Sequence, residues 1–353
     1  MLRLGVRMHG PIKILITGAN GQVGHELLRA LRGGAQGPNP HSALTHHPLP
    51  EGEGEAVNPS PSGRGAGMRV REREIIPATR SGKLDDGIQC ESIDLANFDE
   101  LQRALDRIAP DLVINAAAYT AVDRAEDEPT VAQRINGDAV GVLGAWARRH
   151  DARIVHYSTD YVFDGTAMRA YREDDVTHPL GAYGRTKLAG EIALRESGAR
   201  HLLFRTAWVY AARGHNFLRT MLRLGAEREE LRVVDDQIGA PTPARLIAEV
   251  TARVVADWCR DQTTARDGTY HLVTSGQTSW CGFARAIFER AQRTGLMERV
   301  PKVEAIRTDE YPTKAMRPAW SVLDAAKLRE TFAIELPDWQ TALDGVIREV
   351  RGT

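Results

Sequence analysis

The chain has 353 residues, of which 42% are hydrophobic and 26% charged, with a formal net charge of −1. This balance is typical of a globular protein with one large or two ordinary domains, and it gives no general attraction to nucleic acid or an anionic membrane. No apolar run approaches the length of a membrane span. The cysteines, Cys90, Cys259 and Cys281, lie far apart without metal-like spacing, which favours inert thiols in a reducing cytoplasm.

The first apolar strand, IKILIT, runs directly into a glycine-rich turn. In ILITGANGQVG, Gly18, Gly21 and Gly24 stand between this strand and a helix. Glycines there allow a tight turn, let the backbone approach a pyrophosphate and let the helix pack on the strand, while the helix N-terminus attracts phosphates. Because the spacing is G-x-x-G-x-x-G, a plain turn is the alternative interpretation.

Residues 33–71 interrupt this pattern. The segment is rich in Gly, Pro, Ser and His and has no apolar period. It cannot bury enough surface to offset its ordering entropy, so we predict a disordered insertion at a tolerant surface site. A functional lid is the alternative.

Strands and helices then alternate along the chain. REIIPAT, DLVINAAA, RIVHYSTDYVF and HLLFRTAWVY have the composition of strands, and FDELQRALDRI, AVGVLGAWARRH and YGRTKLAGEIALRES that of helices. Unbroken apolar strands in this order predict an α/β fold, a doubly wound parallel sheet of the Rossmann type. We expect a dinucleotide-binding domain over residues 11–210 and a smaller, mixed, helix-rich substrate domain over residues 211–353, with some segments crossing between them.

The end of the second strand normally selects the cofactor. Thr79, Arg80 and Ser81 suit a ribose 2′-phosphate and favour NADPH, whereas Asp85 and Asp86 suit a free ribose hydroxyl and NADH. Both alternatives stay open.

Two later segments also suit a dinucleotide. Asp94, after the third strand, either accepts from the adenine amino group or caps the next helix. In NAAAYTAVD, the small residues Ala116–Ala118 let the backbone lie against the cofactor, with Tyr119 and Thr120 towards the nicotinamide half.

The segment HYSTDYVFDG places Ser158, Thr159 and Asp160 at the carboxyl end of a strand, where open α/β sheets bind ligands. The next helix carries Tyr183 and Lys187 one turn apart. An ammonium about 4 Å from a phenol contributes about 4 kcal/mol at an effective dielectric of about 20, so we expect Lys187 to lower the pKa of Tyr183 by about two to three units. Tyr183 would donate a proton during hydride transfer, with Thr159 hydrogen-bonded to the substrate oxygen. A solvated helix face is the alternative.

Several motifs in sequence order carry a family resemblance: GANGQVG, NAAAYTAVDRAE, HYSTDYVFDG, YGRTKLAGE, FRTAWVYAARGHNF, DDQIGAPT and YHLVTSG. With them the chain resembles the extended short-chain dehydrogenase/reductases, and among these the dTDP-4-dehydrorhamnose reductases, over nearly its whole length except residues 1–10 and 33–71. The resemblance implies reduction of the 4-keto group of dTDP-4-dehydro-L-rhamnose with NADPH or NADH. The product, dTDP-L-rhamnose, enters bacterial cell-surface polysaccharide.

The resemblance also implies roles for single residues. Tyr183 would be the proton donor, Lys187 its activator and ribose ligand, and Thr159 the residue that tunes this step. Asp160 and Trp208 match positions that contact the sugar nucleotide. The positions that match cofactor contacts are Gly21, Gln22, Val23, Asp94, Leu95, Ala118, Tyr119 and Thr120.

Some residues keep two interpretations. Trp208 either stacks on an apolar sugar face or belongs to the core, and Arg205 meets either a phosphate or an acid within the fold. The segment DDQIGAPTPARL would line the substrate cleft. Some relatives place an acid after this segment for a metal-bridged dimer; Arg245 stands here, which argues against Mg²⁺ and leaves a homodimer open.

Two other functions deserve comparison. A nucleotide-sugar epimerase or dehydratase is one, but dehydratases usually have an Asp-Glu pair after the strand-end Thr, and here Asp160 and Tyr161 follow Thr159. A non-catalytic NAD(P)-binding regulatory subunit, similar to the methionine adenosyltransferase beta subunit, is the other. The presence of Thr159, Tyr183 and Lys187 argues against it. The expected partner is a small nucleotide sugar.

Overall fold

The computed structural model describes residues 10–33, 72–260 and 263–352. Apart from Gly33, the insertion predicted over residues 33–71 lies outside these ranges. The strands are β1 Ile12–Thr17, β2 Arg73–Thr79, β3 Glu91–Ser92, β4 Leu112–Asn115, β5 Arg153–Thr159, β6 Arg200–Thr206, β7 Val209–Tyr210, β8 Glu230–Val234, β9 Ile238–Gly239, β10 Thr242–Pro243, β11 Gly268–His271, β12 Thr278–Ser279 and β13 Lys302–Ile306. The α-helices are α1 Gln22–Arg32, α2 Phe98–Ile108, α3 Val122–Ala125, α4 Pro129–Gln133, α5 Ala139–Arg149, α6 Ala182–Glu196, α7 Phe217–Glu227, α8 Ala244–Trp258, α9 Trp280–Arg293, α10 Ala326–Phe332 and α11 Trp339–Gly352.

Seven strands form one parallel sheet in the order β3-β2-β1-β4-β5-β6-β11. Thr17 at the end of β1 pairs with Asn115 on β4, and Asn115 pairs with His156 on β5. The carboxyl ends of these strands therefore lie along one edge. The first six strands follow the order of a doubly wound dinucleotide-binding sheet, so the predicted α/β fold is confirmed.

Helices cover both faces of this sheet. Ile14 and Ile16 of β1 pack towards α1 and α8, whereas Leu15 packs on the other face towards α2 and α5. Alternate residues of a strand point to opposite faces, and here both faces are buried. This burial explains why the strands are apolar without interruption.

The residues after β7 build a third core from α7, α9, α11 and the parallel pair β8–β13. Two of their elements return to the large sheet, because β11 extends it beyond β6 and α8 packs on α1. Within the described ranges, none of the helices combines the length and the apolar character needed to cross a membrane.

Some predicted boundaries agree with the structure and others were too long. β1, β2 and α2 begin and end where the sequence pattern predicts. The strands predicted over DLVINAAA, RIVHYSTDYVF and HLLFRTAWVY instead end at Asn115, Thr159 and Thr206. The last one breaks because Trp208 adopts a left-handed backbone with φ of 47°, which ends a strand and starts a turn.

Arg205 settles one of the open alternatives, because its partner is an acid within the fold. Its Nε donates to Glu191 Oε1 at 3.0 Å and its Nη2 to Glu191 Oε2 at 2.8 Å. Both side chains are almost fully buried. The pair joins α6 to β6, so it fixes the helix that carries Tyr183 and Lys187.

We expect Arg205→Met to lower the free energy of unfolding by about 3 kcal/mol, because it leaves the buried Glu191 carboxylate without its bidentate partner. Chemical denaturation measures this change. The double variant Arg205→Met/Glu191→Leu should regain most of the loss, since it removes the buried carboxylate that would otherwise keep only its contact with the partly exposed Arg195. Arg107→Met, which breaks the exposed pair with Glu91, is the matched control and should change stability by about 1 kcal/mol or less. A single variant as stable as this control would contradict the argument.

Candidate active site

The glycine loop, residues 18–24, packs closely against the segment that follows β4. Gly18 has a φ of 68°, and a Cβ there would lie 2.7 Å from Ala117 Cα. A Cβ on Gly24 would collide with the carbonyl oxygen of Gly18. Gly21 caps α1 without a side-chain acceptor, so the first amides of the helix face the carboxyl edge of the sheet. Bare backbone and free amides at this edge fit the pyrophosphate of a dinucleotide.

The loop after β2 holds the residues predicted to select the cofactor. Arg80 and Ser81 are exposed at this edge, and the Thr79 hydroxyl lies 3.1 Å from the Lys83 carbonyl oxygen. Asp85 forms an ion pair with Arg213, and Asp86 accepts from the Ile88 amide at 3.0 Å. The two predicted acids are therefore engaged within the protein, whereas Arg80 is exposed.

Asp94 does not cap α2, because Asn97 does. The Asn97 side chain accepts from the Glu100 amide at 3.2 Å, and Asp94 accepts from the Ala96 amide at 2.9 Å. Asp94 is half-buried and its neighbour Leu95 is buried. The helix-cap alternative for Asp94 was therefore wrong.

A residue that the sequence analysis missed fixes the segment after β4. Asn136 Oδ1 accepts from the Tyr119 amide at 2.8 Å, and its Nδ2 donates to the Tyr119 carbonyl at 3.0 Å and to Thr186 Oγ1 at 3.2 Å. Asn136 lies in a π-helical turn, Arg134–Asp138, and such turns are frequent at functional sites. It ties Tyr119 to the catalytic helix α6. The Tyr119 hydroxyl donates to Glu128 at 2.7 Å.

Tyr183 and Thr159 come together at the carboxyl end of β5. The Tyr183 ring packs edge-on against Tyr161, with ring centroids 5.7 Å apart. Burial and the nearby Asp160 carboxylate raise the pKa of Tyr183 to about 12, and a hydrogen bond with the Thr159 hydroxyl opposes this rise. The lowered pKa that we expected from Lys187 is therefore wrong for the protein alone.

Lys187 faces β5 instead. Its Nζ donates to the Tyr157 carbonyl at 2.6 Å and lies 3.4 Å from His156 Nε2. Burial lowers the pKa of Lys187 to about 8, against the opposing charge of Glu191. The Lys187 ammonium group therefore donates to a backbone carbonyl and not to the Tyr183 hydroxyl.

A buried chain of polar groups continues from Lys187 across the sheet. His156 Nδ1 lies 3.1 Å from Asn115 Nδ2, and Thr17 Oγ1 donates to Asn115 Oδ1 at 2.7 Å. Burial and the Lys187 charge lower the pKa of His156 well below its ordinary value, so the ring is neutral. A polar residue within each of the apolar strands IKILIT, LVIN and RIVHYST was the available signal for this chain.

Trp208 lies at the predicted edge, and Trp280 covers one face of its indole ring, with ring centroids 3.6 Å apart and planes 5° apart. Gly239 also lies close to the ring, since a Cβ on it would be 2.5 Å from Trp208 Cε2. The stacking of a sugar on this indole stays a prediction.

The C-terminal part of the chain also reaches the catalytic pocket. Arg317 Nη2 donates to Asp123 Oδ2 at 2.9 Å, and the Ala315 amide donates to Asp123 Oδ1 at 3.0 Å. Arg317 also hydrogen-bonds Tyr161, whose ring contacts Tyr183. Sequence analysis missed this link because its partners are far apart in the chain.

Arg245 forms ion pairs with acidic residues of α8 and α11. It contacts Glu249 at 3.0 Å and Glu349 at 3.8 Å. In the part of the chain that the structure describes, no group of three or more His, Cys, Asp or Glu side chains is arranged to hold a metal ion.

Comparisons with known proteins found a family model, similar sequences and similar structures. The family model described as "RmlD substrate binding domain" matches residues 64–351. A relative from Burkholderia thailandensis, named dTDP-4-dehydrorhamnose reductase, is 43% identical over 96% of this chain and 99% of its own length. Among solved structures, the dTDP-4-dehydrorhamnose reductase of Clostridium acetobutylicum has a TM-score of 0.76 and 33% identity, covering 96% of this chain and all of its own. The Bacillus anthracis enzyme, in complex with NADP, has a TM-score of 0.75 and 30% identity, covering 96% and 99%.

Asp160 gives the site a pH-dependent stability. It is buried, its Oδ2 has no hydrogen-bond partner among the described residues, and burial raises its pKa from 3.8 to about 6. The folded state thus holds a proton that the unfolded state releases, so this contribution to stability is complete below about pH 4 and is lost as the pH rises through about 6.

We expect Asp160→Asn to remove this dependence. Relative to the variant, the wild-type protein should lose about 3 kcal/mol of unfolding free energy between about pH 4 and pH 7. Denaturant titrations of both proteins across this range measure the difference. Parallel pH profiles for the two proteins would show that Asp160 is not the titrating group.

Proposed function

The chain belongs to the family described as the RmlD substrate binding domain, and on that premise we infer that it reduces the 4-keto group of dTDP-4-dehydro-L-rhamnose to give dTDP-L-rhamnose. It is an oxidoreductase that uses a nicotinamide cofactor. The observation that carries this function is the meeting of Thr159 and Tyr183 at the same edge of the sheet as the glycine loop, with Lys187 one helical turn from Tyr183. Its product serves the synthesis of rhamnose-containing polysaccharide.

We propose that Tyr183 supplies the proton of this reduction. The reduced nicotinamide, when bound, supplies the hydride to the carbonyl carbon. Because the pKa of Tyr183 is about 12, its hydroxyl carries a proton at neutral pH. The hydrogen bond with Thr159 orients that hydroxyl, which then donates its proton to the carbonyl oxygen. Hydride and proton together convert the ketone to the alcohol, and Tyr183 is left as a phenolate.

Lys187 stabilises this phenolate in the proposed mechanism. Its pKa of about 8 keeps most of the side chain charged at pH 7, and a positive charge one helical turn away favours the negative phenolate. The resemblance adds a contact with the nicotinamide ribose, which would turn the ammonium group from β5 towards the cleft. His156 lies beside Lys187, and its lowered pKa keeps the imidazole ring from taking a proton from the ammonium group.

We propose that the remaining predicted residues hold the two ligands. Gly18, Gly21 and Gly24 admit the pyrophosphate, with Gln22 and Val23 in the first turn of α1. Asp94 and Leu95 lie beside the adenine, and Ala118, Tyr119 and Thr120 beside the nicotinamide half. For the nucleotide sugar, we propose Asp160 and the Trp208 indole.

Location and assembly are also proposals. The scattered cysteines and the absence of a membrane-crossing helix within the described residues agree with a reaction in the cytoplasm, where nucleotide sugars are made. We propose that the protein can form a homodimer. Arg245 stands where some relatives have an acid for a metal-bridged dimer, so we propose that no metal ion bridges this one.

Tyr183→Phe tests the mechanism. We expect kcat to fall by about a hundredfold or more, the usual contribution of a general acid, while NADPH binding is retained. The assay follows NADPH absorbance with dTDP-4-dehydro-L-rhamnose as substrate. Tyr311→Phe, which changes an exposed tyrosine, is the control and should be fully active. Wild-type protein that oxidises no NADPH in this assay would remove the proposed function.

Arg80→Ala tests the cofactor preference. We propose that exposed Arg80 binds the 2′-phosphate, so its loss should raise the KM for NADPH about tenfold, as expected for one charged hydrogen bond, and leave the KM for NADH unchanged. Steady-state kinetics with each cofactor measure both values. Equal effects on NADPH and NADH would contradict a role in binding the 2′-phosphate.

A further inference from the structure

Residues 211–216, which we call the clasp, cross over the glycine loop. Asn216 Nδ2 donates to Gln22 Oε1 at 2.9 Å, and Gly214 lies close enough that a Cβ on it would be 3.7 Å from Gln22 Cγ. Arg213 forms an ion pair with Asp85 in the loop after β2. The clasp follows β7, so a part of the chain outside the first six strands closes over the N-terminus of α1.

The conformation of the clasp is fixed from within. Asn216 Nδ2 also donates to the carbonyls of Ala211 and Arg213, each at 3.0 Å, and Asn216 Oδ1 accepts from the Arg219 amide at 3.1 Å. Asn216 thus caps α7 and ties both ends of the clasp together. These hydrogen bonds hold the backbone of Arg213. The point from which its side chain extends over the glycine loop is therefore fixed.

One nitrogen of the Arg213 guanidinium has nothing to donate to. Nη2 contacts Asp85, whereas Nη1 is buried and has no hydrogen-bond partner among the described residues. A buried donor without an acceptor is destabilising, and native proteins rarely keep one unless a ligand or ion completes it. The neighbouring His25 carries no negative charge that could pair with this nitrogen. Burial and the charge of Arg213 lower the pKa of His25, which favours its neutral form.

The chemistry of the surroundings identifies the missing acceptor. Arg213 pairs with Asp85, whose amide donates to Asn20 Oδ1 in the glycine loop, and Asn216 of the clasp bonds Gln22 at the start of α1. The clasp therefore lies over the bare glycine backbone that fits a pyrophosphate. We propose that Arg213 is a cofactor-binding residue that donates through Nη1 to the pyrophosphate of the dinucleotide, with Asp85 holding the guanidinium in place. This inference rests on the dinucleotide site of the proposed function. It adds a cation, supplied by the C-terminal half, to a site otherwise formed by backbone amides.

Binding titrations without sugar substrate test it. The change in NADH or NADPH fluorescence on titration with the full chain gives the dissociation constant for each cofactor. Arg213→Ala should weaken both cofactors about tenfold or more, the usual effect of losing a charge-assisted hydrogen bond, and should reduce the salt dependence of binding. Arg213→Lys should restore only part, because lysine keeps the charge but not the fork of donors.

Two controls separate this role from a structural one. Arg223→Ala removes an exposed cation paired with Glu227 and should leave both dissociation constants unchanged. Asp85→Asn removes the ion pair but keeps the cation and an amide oxygen that can accept from Arg213 Nη2, so it should weaken the binding of both cofactors clearly less than Arg213→Ala does. Equal losses in Arg213→Ala and Asp85→Asn would show a purely structural clasp and overturn the proposal, and so would a loss confined to NADPH. Wild-type protein that binds neither cofactor would instead remove the proposed function itself.

Discussion

The active site depends on how closely helix α6 approaches its neighbours. A Cβ on Gly184 would collide with the Tyr161 carbonyl, and one on Gly190 with the Asn136 carbonyl. Only glycine allows these two approaches, and they bring the helix near enough for the buried Lys187 to reach the Tyr157 carbonyl at 2.6 Å. The ion pair of Glu191 with β6 fixes the other end of the helix. A small shift of α6 would therefore separate Tyr183 from Thr159.

The same close packing explains the electrostatics. Lys187 is buried and Tyr183 is partly buried, and desolvation disfavours the charged form of each group. The phenol is therefore hard to ionise and the ammonium is easy to neutralise, with pKa values of about 12 and about 8. In the resting structure the Lys187 ammonium group donates to the Tyr157 carbonyl, so in the proposed mechanism it stabilises the Tyr183 phenolate once it has turned towards the cleft. Tyr183 therefore stays protonated in the resting protein and, in the proposed mechanism, transfers its proton only to the substrate carbonyl oxygen as the hydride arrives.

Sequence reasoning worked where the signal is local. The periods of IKILIT, REIIPAT and FDELQRALDRI gave β1, β2 and α2 to the residue, and strand-end motifs brought Thr159 and Tyr183 together. It failed where the answer depends on partners far apart in the chain. Burial and Asp160 raise the pKa of Tyr183 while Lys187 faces β5, and Trp280 covers one face of Trp208. Asn136, His156 and Arg213 were missed for the same reason, since each acts through contacts many residues away. The insertion over 33–71 and the division into two domains stay predictions.

The contacts between the two halves of the chain carry a further consequence. The C-terminal half supplies Arg213 above the glycine loop and Arg317 beside Tyr161, and it buries one face of α1 under α8. Arg317 holds Asp123, which directly follows the segment proposed to hold the nicotinamide half. Elements that we propose to contact the nucleotide sugar are thus bonded to elements that we propose to contact the dinucleotide. In the proposed function, ordering of one ligand site would restrict the backbone of the other, so part of the entropy lost in binding the second ligand would already be lost when the first one binds.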